Sequence, residues 1–174
     1  MNIFKFIFSR IIGGVDPIDK ARKAGAKIGM GCSFVTYPAF SEPYLVEIGD
    51  NVRVSSNCSF VCHDGGRFVL DNLYPSEGPF YKFGKIIIGS NVFIGMNTII
   101  LPNVSIGSNC IIGAGSVVTK NVPSGEVWGG VPAKFICKVE DYHEKLLIHM
   151  KQFEIIFSKY NINKKQELIR AYEK

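Results

Sequence analysis

Residues 88–123 read IGSNVF IGMNTI ILPNVS IGSNCI IGAGSV VTKNVP. The first column of these hexads is Ile88, Ile94, Ile100, Ile106, Ile112 and Val118, and Gly89, Gly95, Gly107 and Gly113 follow most of them. The fifth column, Val92, Thr98, Val104, Cys110, Ser116 and Val122, is β-branched or small. An α-helix would repeat its apolar positions at 3.6 residues, so a period of six excludes it. A short strand followed by a tight bend fits, because alternation puts the first and fifth residues on one side of the chain. Asn91, Asn97, Asn103, Asn109 and Asn121 supply bends that branched residues resist. One coil cannot bury its own inner face, so the stacked ladder must itself be the core. Each inward Ile or Val is worth roughly 1.5–3 kcal/mol when fully buried.

The pattern extends upstream in pieces. It begins at Ile28-Gly29-Met30-Gly31-Cys32-Ser33, with Phe34 and Phe40 in step. It fits poorly over Tyr37–Pro43, where an irregular first coil or small excursion is expected. It resets at Ile48 and continues through Val54 and Phe60 to His63. Residues 64–85 carry no hexad and hold Gly65, Gly66, Pro75, Pro79 and the aromatics Phe68, Tyr74, Phe80 and Tyr81. A long loop of this composition inside a compact domain points to function rather than disorder.

This ladder resembles the hexapeptide-repeat acyltransferase family, above all its sugar and polysaccharide O-acetyltransferases. The resemblance spans residues 28–137 and is most specific over 88–134. It implies a mainly β fold, a left-handed parallel β-helix with three hexads per coil. The left hand comes from the resemblance alone, since general crossover rules favour the right. It also implies a homotrimer with active sites between subunits, acetyl-CoA as co-substrate, and a long loop closing the active site.

Three segments follow: residues 1–27 as an N-terminal helical segment, 28–137 as the β-helix with its 64–85 insertion, and 138–174 as a helical tail. Met1–Ile12 is apolar with Lys5 and Arg10, too short to span a bilayer. It reads either as a packing helix or as a peripheral contact with the inner membrane face. Asp16 and Pro17 predict a capped helix over 17–23. In the tail, Leu146, Leu147, Met150, Phe153, Ile156 and Phe157 recur at helical spacing, with a final helix expected over 164–172.

The formal charge of +5 is mild and dispersed, and no basic cluster is interleaved with stacking aromatics, so no nucleic-acid partner is expected. The five cysteines show no CxxC spacing, and Cys32, Cys58 and Cys110 occupy the small inward slot of a hexad. Neither disulfides nor a zinc cluster is expected, which favours a reducing cytoplasm. Zinc-dependent carbonic anhydrases share this fold but need three convergent histidines. Here His143 and His149 lie in the tail and only His63 remains, so no metal is expected.

His63 stands where the ladder breaks, within Cys62-His63-Asp64-Gly65-Gly66. Its type suits proton abstraction near neutral pH. The resemblance makes it the general base that deprotonates the acceptor for direct attack on the thioester. Asp64, or alternatively Glu77, could orient the imidazole. The resemblance gives cofactor-contact roles to Gly95, Met96, Gly113, Ala114, Thr119 and Lys120. In Gly130-Val131-Pro132-Ala133-Lys134 it gives them to Pro132 and to Lys134 near the phosphates, with Trp128 flanking. Asn57, Tyr74, Glu77 and Tyr81 are the acceptor-facing candidates. The implied activity is an O-acetyltransferase acting on a sugar or cell-surface polysaccharide. An amino-sugar or antibiotic N-acetyltransferase is the rival within the enzyme class, and a non-catalytic β-helix scaffold the rival outside it.

Overall fold

The structure, a computed structural model, describes residues 15–152. Expectations for Met1–Ile12 and for 164–172 lie outside those residues. The chain falls into two compact units, Met1–Val139 and Glu140–Lys174. Among the described residues no helix is long and apolar enough to cross a membrane.

The first unit opens with α1 (Pro17–Lys23), where Pro17 takes the first turn and the Asp16 carboxylate accepts from the Ile18 N–H at 2.7 Å. The Arg22 guanidinium donates to the Ile28 and Gly29 carbonyls, tying α1 to the start of the ladder. The ladder then winds through β1 (Lys27–Ile28), β2 (Ser33–Phe34), β3 (Ala39–Phe40), β4 (Val46–Ile48), β5 (Arg53–Val54) and β6 (Ser59–Phe60). After an excursion it continues as β7 (Ile86–Ile88), β8 (Phe93–Ile94), β9 (Ile99–Ile100), β10 (Ser105–Ile106), β11 (Ile111–Ile112), β12 (Val117–Val118) and β13 (Glu126–Gly129). Every third strand falls on the same face. One sheet runs β1-β4-β7-β10, a second β2-β5-β8-β11-β13, a third β3-β6-β9-β12, all parallel. This is the coiled β-helix that the period of six predicts.

Register stacks like on like. Ile28, Ile48, Ile88 and Ile106 form one inner column, and Phe34, Val54, Ile94 and Ile112 the next. Phe40, Phe60, Ile100 and Val118 form the third, with the Phe40 and Phe60 rings stacked at 4.9 Å. The corners use left-handed backbone: Asn51, Asn57, Asn91, Asn97, Asn103 and Asn109 all have φ between 55° and 63°. Asn tolerates that region better than other side chains. The Cys58 thiol donates to the Gly95 carbonyl and the Cys110 thiol to the Pro123 carbonyl, each reaching the next coil. Cys32 does the same toward Gly49 but is only half-buried.

Three features depart from the sequence reading. The misfit near Tyr37–Pro43 is confined to its end: β3 holds register, and a 3-10 turn at Pro43–Leu45 takes up the extra residues before β4. The insertion is not wholly loop, since Arg67–Leu73 forms a helix, α2. The Arg67–Asp71 ion pair one turn apart supports it. Finally, residues 134–138 are a strand that the sequence reading does not name. They form β14 (Lys134–Lys138), antiparallel to β13, which turns the last coil back on itself. The second unit holds most of α3 (Val139–Gln152), with Glu140 and Asp141 in its first turn where the helix dipole favours acid.

Phe60 is fully buried, and its truncation leaves a void in the middle of the third column. Phe60→Ala is expected to destabilise by about 3–5 kcal/mol, read from urea unfolding. On the outer face of the first sheet Glu47 lies 2.8 Å from both Lys27 and Lys85. Hydrogen bonds from Lys27 and then Lys85 lower its carboxyl from 4.5 to about 2. A depressed acid stabilises above its unfolded pKa and loses that contribution as pH falls through the folded one. The melting temperature should therefore fall between pH 4.5 and about 2, and Glu47→Gln should flatten that slope.

Candidate active site

The excursion leaves and rejoins the ladder at the corner after β6. There the Gly84 N–H donates to the Cys62 carbonyl at 2.7 Å, and His63 pairs with Phe83 as an antiparallel bridge. Gly84 has no room for a side chain, because an added Cβ would sit 2.5 Å from the Asn103 nitrogen of the coil above. This close seat holds the neck of the excursion and, with it, His63.

The His63 ring is half-exposed and its Nδ1 lies 2.7 Å from Glu42 Oε1. Glu42 is only 13% exposed. A charged carboxylate only accepts, so this contact assigns a proton to Nδ1 and, in the neutral ring, leaves Nε2 as the acceptor. The second oxygen, Oε2, is buried and makes no hydrogen bond among the described residues. Cys62, between these groups in the chain, is inert: burial, then the Glu42 charge, pushes its thiol up to about 11.

Neither carboxylate expected from sequence orients this ring. Asp64 accepts from the Gly66 N–H at 2.9 Å and from Lys82 Nζ at 3.4 Å. The Gly66 bond and then Lys82 hold its carboxyl below the usual range. Asp64 thus closes the turn, as alternation of adjacent side chains requires. Glu77 is exposed in the turn after α2, its N–H bonded to the Tyr74 carbonyl. Glu42 was missed because its partner lies one coil away. The signal was present: Phe40 stacks on Phe60, so two residues further along each coil Glu42 comes beside Cys62 and His63.

The residues assigned to the co-substrate divide between two corners on either side of the third sheet. Met96, Gly113 and Ala114 lie at the corner after β8 and β11, where the Gly115 N–H bonds the Met96 carbonyl. The segment from Gly130 to Ala133 closes over it, through Val117 N–H to Gly130 C=O and Ala133 N–H to Val117 C=O. Met96, Ala114, Pro132 and Lys134 are exposed there. Thr119 and Lys120 are exposed at the other corner, after β12, which is the His63 corner one coil up from Leu101. The third sheet, with β12 at Val117–Val118, separates the two.

Two of the assigned residues have packing contacts within the coil. Gly95 is buried: a Cβ there would meet the Ala114 nitrogen at 2.5 Å, so its smallness serves coil stacking. Trp128 pairs in register with inward Ile112 and packs against the end of the core. Its indole N–H donates to Glu126 Oε2 at 2.8 Å, which Lys138 shares through Oε1. Asn57 is a corner residue with φ of 57°, across the third sheet from His63. Tyr74 meets Phe80 edge-on within the excursion, while Tyr81 stacks on Phe83, nearer the imidazole. Among the described residues no three His, Cys, Asp or Glu gather to hold a metal.

A family model described as bacterial transferase hexapeptide (six repeats) matches residues 85–120. Protein CapG of Staphylococcus aureus is 49% identical over 132 residues, covering 74% of this chain and 75% of that protein. Galactoside O-acetyltransferase of Escherichia coli (strain K12) is 40% identical over 121 residues, covering 67% of this chain and 57% of that protein. Among solved structures, a maltose O-acetyltransferase from Clostridium difficile 630 superposes with a TM-score of 0.52 at 28% identity, covering 69% of this chain and 73% of that one. The coil is thus the left-handed parallel β-helix of these transferases. On fold, repeat and likeness together, the chain belongs to the hexapeptide-repeat acyltransferase family.

Proposed function

We propose that this protein transfers an acetyl group from acetyl-CoA to a hydroxyl of a sugar or of a cell-surface polysaccharide precursor. The observation that carries this reading is the His63–Glu42 pair at 2.7 Å, on a half-exposed imidazole at the root of the excursion. The O-acetyltransferase relatives support a hydroxyl acceptor over the amine of an N-acetyltransferase.

Acetyl-CoA would supply an activated acyl carbonyl and a thiolate leaving group. Nε2 accepts the proton of the acceptor hydroxyl as its oxygen becomes nucleophilic. Glu42 keeps the ring in the required tautomer and stabilises the imidazolium that forms. The imidazolium then returns its proton to the departing sulfur. Lys120 and Lys134, both exposed, offer point charges to the phosphates. Ala114 and Gly113 leave a low wall for the pantetheine arm beside exposed Met96. The separation of these corners on one chain favours a homotrimer, in which His63 of one copy faces the groove of a neighbour. Five free cysteines suit a reducing cytoplasm.

His63→Ala should lose about 10²–10⁴-fold in kcat, measured as CoA thiol release, with the melting temperature retained. Glu42→Gln should lose part of that factor and leave the KM for acetyl-CoA unchanged. Unchanged turnover in His63→Ala would remove the base assignment, and failure of wild type to bind CoA by calorimetry would favour a scaffold. Lys134→Ala should raise the KM for acetyl-CoA several-fold while kcat holds, in steady-state kinetics.

A further inference from the structure

The backbone ladder between the first two coils of the third sheet stops at Ser41. There the lower coil donates at alternate residues, the Ala39 N–H to the Cys58 carbonyl at 2.9 Å and the Ser41 N–H to the Phe60 carbonyl at 3.1 Å. The next donor in that series would be Pro43, which has no N–H. The upper coil runs on to Cys62, which is fully buried, so its N–H needs an acceptor within the protein. The Ser41 hydroxyl supplies one: Oγ accepts the Cys62 N–H at 2.7 Å and donates to the Phe60 carbonyl at 3.3 Å.

Hydroxyl-to-backbone rungs also occur at the corner after the first sheet, with the opposite sense. There the N–H groups of Asp50, Ser90 and Ser108 donate upward to Oγ of Ser90, Ser108 and Ser124, each at 3.0 Å. At Ser41 the upper coil donates down, and the bond is shorter. Its place in the chain also sets it apart. Ser41 immediately precedes Glu42, and Cys62 immediately precedes His63. On the other side of the histidine, the Gly84 N–H holds the Cys62 carbonyl at 2.7 Å and the Asp64 N–H reaches the Lys82 carbonyl at 3.0 Å. Those two bonds fix His63 to the neck of the excursion. The Ser41 rung fixes it to the coil that carries Glu42.

We propose that Ser41 is a positioning residue for the His63–Glu42 pair. Its hydroxyl sets the step between the two coils at the point where carboxylate and imidazole leave them. Without it the Cys62 N–H loses its acceptor, and the imidazole can turn away from Glu42 Oε1. The ring is then no longer held with its proton on Nδ1. The proposal rests on the acetyl-transfer reading of His63 and adds the residue that keeps the base in register with its carboxylate.

The test uses the full chain and two readouts. Imidazole nitrogen resonances, recorded by NMR where the ring is neutral and assigned to His63 by comparison with His63→Ala, report the tautomer without substrate. CoA thiol release from acetyl-CoA over a panel of sugar acceptors reports turnover. Ser41→Ala should convert a spectrum dominated by the Nδ1–H form into a mixture. It should also lower kcat about tenfold or more, with the KM for acetyl-CoA unchanged. Ser41→Thr keeps the hydroxyl and should recover most of both. Ser41→Cys, close in size but a poorer acceptor, should repeat the alanine result and serves where alanine impairs folding. Ser108→Ala, which removes a rung of the same kind at another corner, should keep the tautomer and kcat. In a Glu42→Ala background Ser41→Ala should cost less than about twofold more in kcat, because it acts through the pair. A wild-type tautomer in Ser41→Ala, or the same loss of kcat with and without Glu42, overturns the positioning role and leaves acetyl transfer standing. Should the wild type release no thiol with any acceptor, the acetyl-transfer reading falls and the imidazole spectrum alone decides for or against Ser41.

Discussion

Each coil of this protein is fastened to the next by backbone hydrogen bonds between stacked parallel strands. The glycine after each first-column isoleucine donates to the carbonyl one coil above. Gly29 reaches Ile48, Gly49 reaches Ile88, Gly89 reaches Ile106 and Gly107 reaches Val122, all at 2.7 or 2.8 Å. These strands are two or three residues long, far below the length at which a strand pair is stable alone. Their stability is a property of the stack, since each coil buries its apolar face only against its neighbours. The asparagines at positive φ are the condition for this stacking, because each turns the chain without lifting it out of the plane of its coil.

The same constraint builds the site. A ladder with an offset of one coil converts distance along the chain into contact across it. Glu42 and His63 are far apart in sequence yet share a hydrogen bond of 2.7 Å, because the third column holds Phe40 over Phe60 just before them. Both lie where the ladder is interrupted: Glu42 in the short turn after the first coil, His63 at the root of the long excursion. Insertions in a solenoid project side chains that the repeat does not constrain. The candidate site and the departure from the period therefore coincide.

The excursion is organised by local pairs rather than by a core of its own. Asp71 fixes both Arg67 and the Phe80 backbone, and Asp64 fixes Gly66 and Lys82. Few of its side chains are buried, so its polar contacts carry most of its order. This leaves rings and cations exposed beside the imidazole.

The sequence by itself determined the coil. A period of six with Ile, Gly and Asn in fixed columns admits one way of burying the isoleucines, so fold, inner columns and corner residues were legible from Ile88 to Pro123. His63 was legible too, as a histidine at a break in the pattern. Only the tertiary structure decided its partner. Asp64 is adjacent in the chain, but alternation turns it away, and Glu42 arrives from the coil below. The packing contacts of Gly95 and Trp128 were hidden in the sequence for a related reason. A small residue can serve a ligand or a neighbouring backbone, and an indole can lie in a groove or cap a core, and composition does not distinguish them. The strand Lys134–Lys138 depends on pairing with Glu126–Gly129 rather than on any period of its own, so no repeat announced it.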